Sequence, residues 1–283
     1  MEKIESGSRN NKHLNYSCVR PFVFQVDIFN QSGNNTMSES FANSIADCIS
    51  ILSHDSECRS IVICSAGTNF CCGEDIDDLT DFNRIVAGKD DVARRGLELQ
   101  RRILLMQRAF LAIESCPKPV IVAIHGACVG PAMGLITACD IRYCTKESWF
   151  QVSELELGMA ADTGTLQRLP KVIGSQSFAR EMCLTARKVE ADEAMRVGLV
   201  SRAFDTRAIL LREALDRAEL IANLSPVAVQ TTKKSMVFSE SRSNYDGLDH
   251  IREMNLLCRQ SEDYHISQPP MKSPNKRSAY VKY

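Results

Sequence analysis

The sequence of 283 residues lacks several features that would assign it to a broad class of protein. It has no apolar run of about 18 residues, so it predicts no membrane-spanning helix. Its net charge of −1 predicts no broad attraction to nucleic acid or to acidic membranes. The twelve cysteines form no C-x-x-C pair and the histidines show no metal-binding spacing, so we expect reduced core thiols and no metal site.

Targeting signals are equally scarce. The N-terminal segment MEKIESGSRNNKHL has neither the apolar centre of a secretion signal nor the arginine-rich character of a transit peptide. The last three residues, Val281, Lys282 and Tyr283, match a Ser-Lys-Leu-type peroxisomal address poorly. These signals favour an intracellular, cytoplasmic protein.

Apolar patterning predicts an α/β core followed by a helical C-terminal part. The first half alternates strand and helix patterns, whereas only helices are predicted after residue 175. Predicted strands cover 22–28, 61–64, 120–124, 140–144 and 149–152, and predicted late helices cover 175–185, 190–197, 206–223, 226–238 and 243–260.

Three local patterns in the first half lead to specific expectations. Thr36 and Glu39 predict a capping box for a helix that runs through Leu52. The polar residues 82–91 predict a mobile loop. A long helix is predicted over 92–115, in which leucines at seven-residue spacing are expected to pack in the core: Leu97, Leu104 and Leu111.

The segment 116–144 is the most informative part of the chain. The double-proline break at Cys116–Pro119 precedes the β-branched run Val120–Ile124, which is typical of a strand buried on both faces. The turn Gly126–Gly134 that follows has little side-chain bulk and opens a helix. Unpaired N–H groups at a helix start can hold a negative charge that develops during a reaction.

Six segments occur in an order that is specific as a set: AGTNFCCGEDI (66–76), CPKPVIVAIHGACVG (116–130), ACDIRYC (138–144), FQVSELELGMAADTGTLQRLPKVIG (150–174), TARKVEADEAMRVGLVSRAF (185–204) and SPVAVQTTKK (225–234). Together they resemble the crotonase superfamily, which has the enoyl-CoA hydratase/isomerase fold, across residues 20–265. CPKPVI, ACDIRYC, AADTGTLQRLPKVIG and TARK are most similar to its branch of Δ3,5-Δ2,4-dienoyl-CoA isomerases.

The resemblance implies a site that stabilises the enolate of an acyl-CoA thioester. Two backbone N–H groups polarise the thioester carbonyl in that superfamily. The first donor maps to Glu74 and the second to Pro131, within the turn formed by Gly130, Pro131 and Ala132. Proline has no N–H but suits the first position of a helix. Either the N–H of Ala132 therefore substitutes after a small backbone shift, or the site has one donor.

The resemblance assigns the proton transfers to Glu154 and Asp162. A third carboxylate of the branch maps to Gly134 and is absent. The other interpretations are that Glu154 is a solvated glutamate at a strand end and that Asp162 is a helix N-cap. We expect Glu156 to lie on the surface and Asp75 to cap or pair locally.

The implied function is isomerisation in fatty-acid β-oxidation, in which a 3,5-dienoyl-CoA becomes a 2,4-dienoyl-CoA. Acyl-CoA is then the substrate and no separate cofactor is needed. Because Pro131 and Gly134 depart from the family pattern, two alternatives stay open: an enoyl-CoA hydratase and a non-catalytic acyl-CoA-binding protein of this fold. Family analogy implies a homotrimer or homohexamer and residence in mitochondria or peroxisomes.

The expected organisation is a flexible arm at 1–18, a crotonase-like spiral of ββα turns at 19–205, a helical trimerisation region at 206–265 and a basic tail at 266–283. One apolar face of the helix predicted at 243–260 is either a subunit interface or packs within the subunit. Its residues are Ile251, Met254 and Leu257.

Several reactive side chains have an ordinary structural interpretation. His125 follows a buried strand and is expected to be structural. Cys71 and Cys72 are expected to line the carbonyl site without acting as nucleophiles, because no partner histidine is visible. Lys233, Lys234 and the basic tail are candidates for contact with the CoA phosphates, and the alternative is ordinary solvated charge.

Overall fold

A computed structural model describes residues 9–10, 13–29, 34–89, 91–268 and 280. Within these ranges the strands are β1 Arg9–Asn10, β2 Leu14–Arg20, β3 Val23–Ile28, β4 Ser60–Ser65, β5 Val120–Ile124, β6 Ala127–Val129, β7 Ile141–Thr145, β8 Trp149–Gln151, β9 Val189–Glu190 and β10 Arg202–Phe204. The helices are α1 Glu39–His54, α2 Ile76–Ala87, α3 Val92–Ser115, α4 Pro131–Ala138, α5 Thr165–Val172, α6 Gln176–Thr185, α7 Ala191–Arg196, α8 Arg207–Ala222, α9 Pro226–Ser239, α10 Asn244–Arg259 and α11 Glu262–Ser267. A 3-10 helix covers Glu154–Leu157.

Two sheets organise the fold. The larger sheet has the order β1-β2-β3-β4-β5-β7-β10, in which β2 is antiparallel to both of its neighbours and the later neighbours are parallel. The smaller sheet has the order β6-β8-β9, with β6 parallel to β8. Helices follow most of the parallel strands, as the alternating sequence pattern predicts.

Apolar cores lie on both faces of the larger sheet. In β4, Ile61 and Ile63 pack into the core on the side of α1, α3 and α4, whereas Val62 packs into a second core with α8. The second core contains small residues of α8, including Ala214 and Ala218, that let the helix approach the sheet closely. Burial on both faces explains why the central strands are continuous apolar runs.

The prediction that the α3 leucines at seven-residue spacing pack in the core was wrong. Leu97, Leu104 and Leu111 are 64%, 43% and 47% exposed. The buried face of α3 follows a spacing of three and four residues instead, and its members are Arg102, Met106, Ala109, Phe110 and Ile113. A straight helix has 3.6 residues per turn, so this spacing keeps the side chains on one face better than a strict heptad does. Among the described helices, none combines the length and apolarity needed to cross a bilayer.

The structure also corrects two local predictions before α3. Helix α1 is capped by Ser38, whose Oγ accepts from the Phe41 N–H, so the capping box of Thr36 and Glu39 was wrong. The expected loop at 82–91 was also wrong, because α2 extends through Ala87. An Asp75 cap at its start and an ion pair between positions 81 and 84 support this polar helix.

The limits of the predicted arm and tail fall partly outside the described residues. Strand β2 begins at Leu14, and Leu14 and Tyr16 are buried in the core, so the boundary of the arm at residue 18 was wrong. The strand pattern begins before residue 18, because Leu14 and Tyr16 are alternate residues of β2 and point to the same buried face. Of the predicted tail at 266–283, only 266–268 and Tyr280 are described.

Lys233 has an internal role and does not face solvent. Its Nζ donates to Asp140 Oδ2 at 2.6 Å, to the Lys118 carbonyl at 3.1 Å and to the Ile113 carbonyl at 3.4 Å. Both of its expected roles, phosphate contact and solvated charge, are therefore wrong, because burial and three acceptors already satisfy the ammonium. Lys234, the next residue, is exposed.

This ion pair predicts unequal effects for two adjacent lysines. Lys233→Met should lower the free energy of unfolding by about 2–3 kcal/mol, because it leaves the Asp140 carboxylate without its cation. Lys234→Met is the matched control and should change it by less than about 0.5 kcal/mol. Urea unfolding followed by circular dichroism measures both values, and equal losses would contradict the assigned pair.

Candidate active site

Two glycine-containing turns meet beside strand β6. The segment before α2 pairs with β6, since the Cys71 N–H donates to the Ala127 carbonyl and the Val129 N–H donates to the Cys71 carbonyl, both at 3.0 Å. Gly73 and Gly130 have positive φ values of 111° and 57°. A Cβ placed on Gly130 would lie 3.9 Å from the Gly73 Cα. The backbone of the two turns is therefore within reach of one ligand atom.

Each turn offers a free backbone N–H. The Met37 N–H donates to the Gly73 carbonyl and the Asp75 N–H donates to the Met37 carbonyl, which holds the first turn on both sides of Glu74. Among the described residues, nothing accepts a hydrogen bond from the Glu74 N–H or from the Ala132 N–H. Ala132 is the second residue of α4, where the helix itself provides no acceptor.

Pro131 occupies the first position of α4, as expected for a residue without an N–H. Gly130 is the residue before it, and its carbonyl accepts from the Met133 N–H at 2.9 Å. The helix therefore begins with a tight turn, and its first backbone donor is the Ala132 N–H. This geometry favours the substitution of Ala132 for position 131 as the second donor of the site.

Glu154 lies against these turns with an unpaired carboxylate. The residue is 7% exposed, and neither carboxylate oxygen has a hydrogen-bond partner among the described residues. Its Oε1 is 3.9 Å from the Cβ position of Gly130. Burial raises the pKa of Glu154, the charges of Asp162 and Glu74 raise it further, and the nearby N–H groups of Glu154 itself and Ser153 offset part of this rise. The interpretation of Glu154 as a solvated glutamate at a strand end was wrong.

Asp162 is the second carboxylate of the site and lies close enough for its charge to act on Glu154. Asp162 is exposed in the single chain, but partial removal of water by its neighbours raises the pKa of its carboxyl and the charge of Arg102 lowers it. The Asp162 carbonyl accepts from Gln107 Nε2 at 2.7 Å, which ties the segment to α3. Helix α5 starts after Gly164 without a side-chain cap, so the interpretation of Asp162 as an N-cap was wrong.

The position of the missing third carboxylate is packed. A Cβ on Gly134 would lie 2.5 Å from Thr163 Oγ1 and 3.1 Å from the ring of Phe110. Thr163 Oγ1 is buried and has no partner among the described residues. This backbone arrangement therefore has no room for a carboxylate side chain at position 134.

Arg102 is a charged neighbour of the site that was missed in the sequence. Its Nη2 donates to Glu74 Oε1 at 2.9 Å and to Asp78 Oδ2 at 2.7 Å. The available signal was its position four residues before Met106, on the apolar face of α3. An arginine on an apolar helical face needs acidic partners, and these come from a different part of the chain.

The remaining candidate side chains have structural surroundings. His125 Nε2 donates to the Gly67 carbonyl at 3.0 Å, and burial lowers the pKa of this buried imidazole. Burial raises the pKa of Cys71 to about 12 and also raises the pKa of Cys72, which disfavours a nucleophilic thiolate. Asp75 caps α2, as expected, and accepts from the Asp78 N–H.

A large cavity in the described part of the chain lies away from these two turns. It has a volume of about 910 Å³ and is lined mainly by α9, α5 and the segment 137–142, without Glu154 or Asp162. Volume alone therefore does not locate the chemistry. Free backbone donors beside an unpaired buried acid are the better criterion, because such groups are costly to bury without a function.

Comparisons with known proteins agree with the sequence resemblance. Residues 21–265 match the family model described as enoyl-CoA hydratase/isomerase. A Homo sapiens protein named Delta(3,5)-Delta(2,4)-dienoyl-CoA isomerase, mitochondrial, is 42% identical over 259 residues, which are 92% of this chain and 79% of that protein. An Arabidopsis thaliana protein named Delta(3,5)-Delta(2,4)-dienoyl-CoA isomerase, peroxisomal, is 39% identical over 241 residues, which are 85% of this chain and 86% of that protein.

The fold is shared with a solved enoyl-CoA hydratase from Bacillus anthracis. The TM-score is 0.80 at 23% identity, and the match covers 89% of this chain and 93% of that chain. This likeness confirms the predicted α/β fold of the crotonase type.

The unpaired carboxylate of Glu154 predicts a stability cost that depends on pH. Because the folded state raises the pKa of Glu154, it binds the proton more tightly than the unfolded chain does, and stability is lost as pH rises above the ordinary glutamate pKa. Glu154→Gln should therefore raise the free energy of unfolding at pH 7 by about 1 kcal/mol or more. The gain should shrink toward zero at pH 4.

Chemical unfolding of the wild type and the variant across pH 4–8 measures this difference. Glu156→Gln, two residues along on the exposed side of the same 3-10 helix, is the matched control and should show no such trend. A loss of stability in Glu154→Gln at pH 7 would show that the carboxylate is satisfied in the folded protein.

Proposed function

This chain belongs to the enoyl-CoA hydratase/isomerase family, and within it we propose that the protein converts a 3,5-dienoyl-CoA into a 2,4-dienoyl-CoA. The observation that carries the proposal is the buried, unpartnered carboxylate of Glu154, placed beside two free backbone donors and within electrostatic reach of Asp162. The relatives with 42% and 39% identity that carry the name dienoyl-CoA isomerase support it.

The proposed reaction begins at the thioester carbonyl. Its oxygen accepts hydrogen bonds from the Glu74 and Ala132 N–H groups, which are the free donors of the two turns. Glu154 lies next to these donors and is therefore assigned to C2, the carbon adjacent to the carbonyl. Ionised Glu154 removes a proton from C2, and the electron pair of that C–H bond is delocalised over the carbonyl and both C=C bonds as an extended enolate. The two donors stabilise the negative charge that develops on the oxygen.

The second proton transfer completes the shift of the double bonds. Asp162, the second acid, is assigned to C6, where the protonated carboxyl group donates its proton. The electron pair of the extended enolate forms the new C6–H bond, and the double bonds move from positions 3 and 5 to positions 2 and 4. A raised pKa suits both roles, since it makes Glu154 a stronger base and keeps Asp162 protonated over a wider pH range. The proposed reaction needs no cofactor besides the acyl-CoA substrate.

The absence of an acid at position 134 favours isomerisation over hydration. The resemblance implies that hydratases keep a glutamate there, and Thr163 and Phe110 leave no room for one. Proton transfer between two carbons of the substrate needs only the two acids present.

The proposal also covers the oligomeric state of the protein and its location in the cell. Of the apolar face predicted on α10, Leu257 is exposed in the single chain and Ile251 and Met254 are half-buried, and Leu248 and Leu256 on the same helix are also exposed. They fit a subunit interface, and we propose a homotrimer or a pair of trimers. Relatives named mitochondrial or peroxisomal support residence in one of these organelles and a role in fatty-acid β-oxidation.

The direct test is turnover of a 3,5-dienoyl-CoA, followed by the absorbance of the conjugated 2,4-dienoyl product. Glu154→Gln and Asp162→Asn should each lower kcat by about 10²-fold or more, because each removes one proton transfer. Glu156→Gln should keep kcat within about threefold of the wild type, since an exposed acid outside the site contributes little.

Two other outcomes would reject the isomerase. Thermal stabilisation by the acyl-CoA without any turnover would favour the non-catalytic binding protein. Addition of water to an enoyl-CoA, without isomerisation of the dienoyl-CoA, would favour the hydratase.

Pro131→Ala tests the assignment of the second donor. If Ala132 already provides this N–H, the new N–H at position 131 adds no required contact, and kcat should stay within about threefold of the wild type. A rise in kcat of about tenfold or more would show that the natural site has one donor. The assay is the same dienoyl-CoA turnover, and the melting temperature of the variant provides the control for folding.

A further inference from the structure

Arg102 connects the proposed site to three surrounding elements. It projects from α3 with a side chain that is 10% exposed. One nitrogen, Nη2, bridges the carboxylates of Glu74 and Asp78, and the guanidinium lies 4.6 Å from the ring centroid of Phe82. Asp78 Oδ2 also accepts from the Glu39 N–H at 3.2 Å. The starts of α1 and α2 and the turn before α2 are thus joined to α3 through this one side chain.

The contact with Glu74 has a specific consequence for the backbone. Glu74 contributes its backbone N–H to the carbonyl site, and its side-chain carboxylate accepts a hydrogen bond from Arg102. The backbone bonds of Met37 hold the residues on either side. Arg102 is the side-chain anchor of the donor residue itself, so it restrains the direction in which the N–H points.

The same guanidinium lies among acidic groups. The charge of Glu74 raises the pKa of Glu154, and Arg102 lowers the pKa of Asp162. Across the described residues, the charged groups that act on the Glu154 carboxyl are Asp162 and Glu74. The charged group that acts on the Asp162 carboxyl is Arg102. Without Arg102, the charges of Glu74 and Asp78 would stand unbalanced beside the site.

We propose that Arg102 is a positioning residue of the isomerase, which orients the Glu74 N–H toward the thioester oxygen. It also supplies a positive charge on the side of α3, the helix to which Gln107 ties the Asp162 segment. This inference rests on the proposed function. An arginine is required because its planar guanidinium reaches two carboxylates and stacks on Phe82, whereas a lysine ammonium is a compact point charge.

Three variants separate positioning from simple structural support. Arg102→Gln should lower kcat by about 10–100-fold with a smaller change in KM, because the donor acts on the developing oxyanion. It should also move the pH profile of kcat to higher pH, since loss of a positive charge raises the pKa of Asp162. Arg102→Lys should keep the wild-type pH profile but lose about tenfold in kcat. The matched control is Arg84→Gln, which removes an exposed ion pair of α2 and should change neither.

The melting temperature, pH profile and kcat of the Arg102 variants decide between a positioning role and a structural one. A lowered melting temperature with an unmoved pH profile in Arg102→Gln would assign Arg102 a structural role only and overturn the proposal. If Arg102→Gln does not fold, Arg102→Lys decides, and an unchanged kcat in that variant overturns the proposal.

A measurement without substrate separates this inference from the proposed function. Carbon-13 NMR of the aspartate carboxyls, with Asp162 assigned by the Asp162→Asn variant, gives its titration midpoint in the wild type and in Arg102→Gln. The midpoint should rise in Arg102→Gln, and an unchanged midpoint would overturn the electrostatic role of Arg102. A wild type that does not turn over the dienoyl-CoA would reject the isomerase while this titration still tests Arg102.

Discussion

The three-residue strand β6 is the constraint on which the site depends. On one side it exchanges hydrogen bonds with Cys71, which fixes the turn that contains Glu74. On the other side it pairs with β8, and the Gly130 N–H donates to the Gln151 carbonyl at 2.9 Å. Strand β8 leads directly into the 3-10 helix that carries Glu154. One short strand therefore sets the distance between both donor turns and the first carboxylate.

This arrangement places unsatisfied polar groups where a stable fold would avoid them. The Glu154 oxygens and the Glu74 and Ala132 N–H groups lack partners among the described residues. Each such group costs about 1–3 kcal/mol when buried. The surrounding core is large enough to offset that cost, since apolar residues fill both faces of the central sheet. The same groups carry the proposed reaction, because donors and acids that are already paired could not act on a substrate.

Local patterns in the sequence predicted the elements better than the contacts between them. The buried strand at 120–124, the helix start at Pro131 and the cap at Asp75 each follow from chemistry within a few residues. The pairs Arg102–Glu74 and Lys233–Asp140 join positions 28 and 93 residues apart, and no local pattern reveals them. The leucines of α3 were misplaced for a related reason: periodicity defines the faces of a helix, but only the tertiary fold decides which face is buried.

The two departures from the family pattern become compatible with catalysis when they are considered together. Proline at the first position of α4 removes one donor, yet the tight turn at Gly130 leaves the next N–H, on Ala132, free. Glycine at position 134 removes an acid, yet it lets Thr163 and Phe110 pack against α4. The segment that carries Asp162 is thereby held close to the helix start. The loss of the third acid and the position of the second are two consequences of the same packing, which favours proton transfer between carbons over the activation of water.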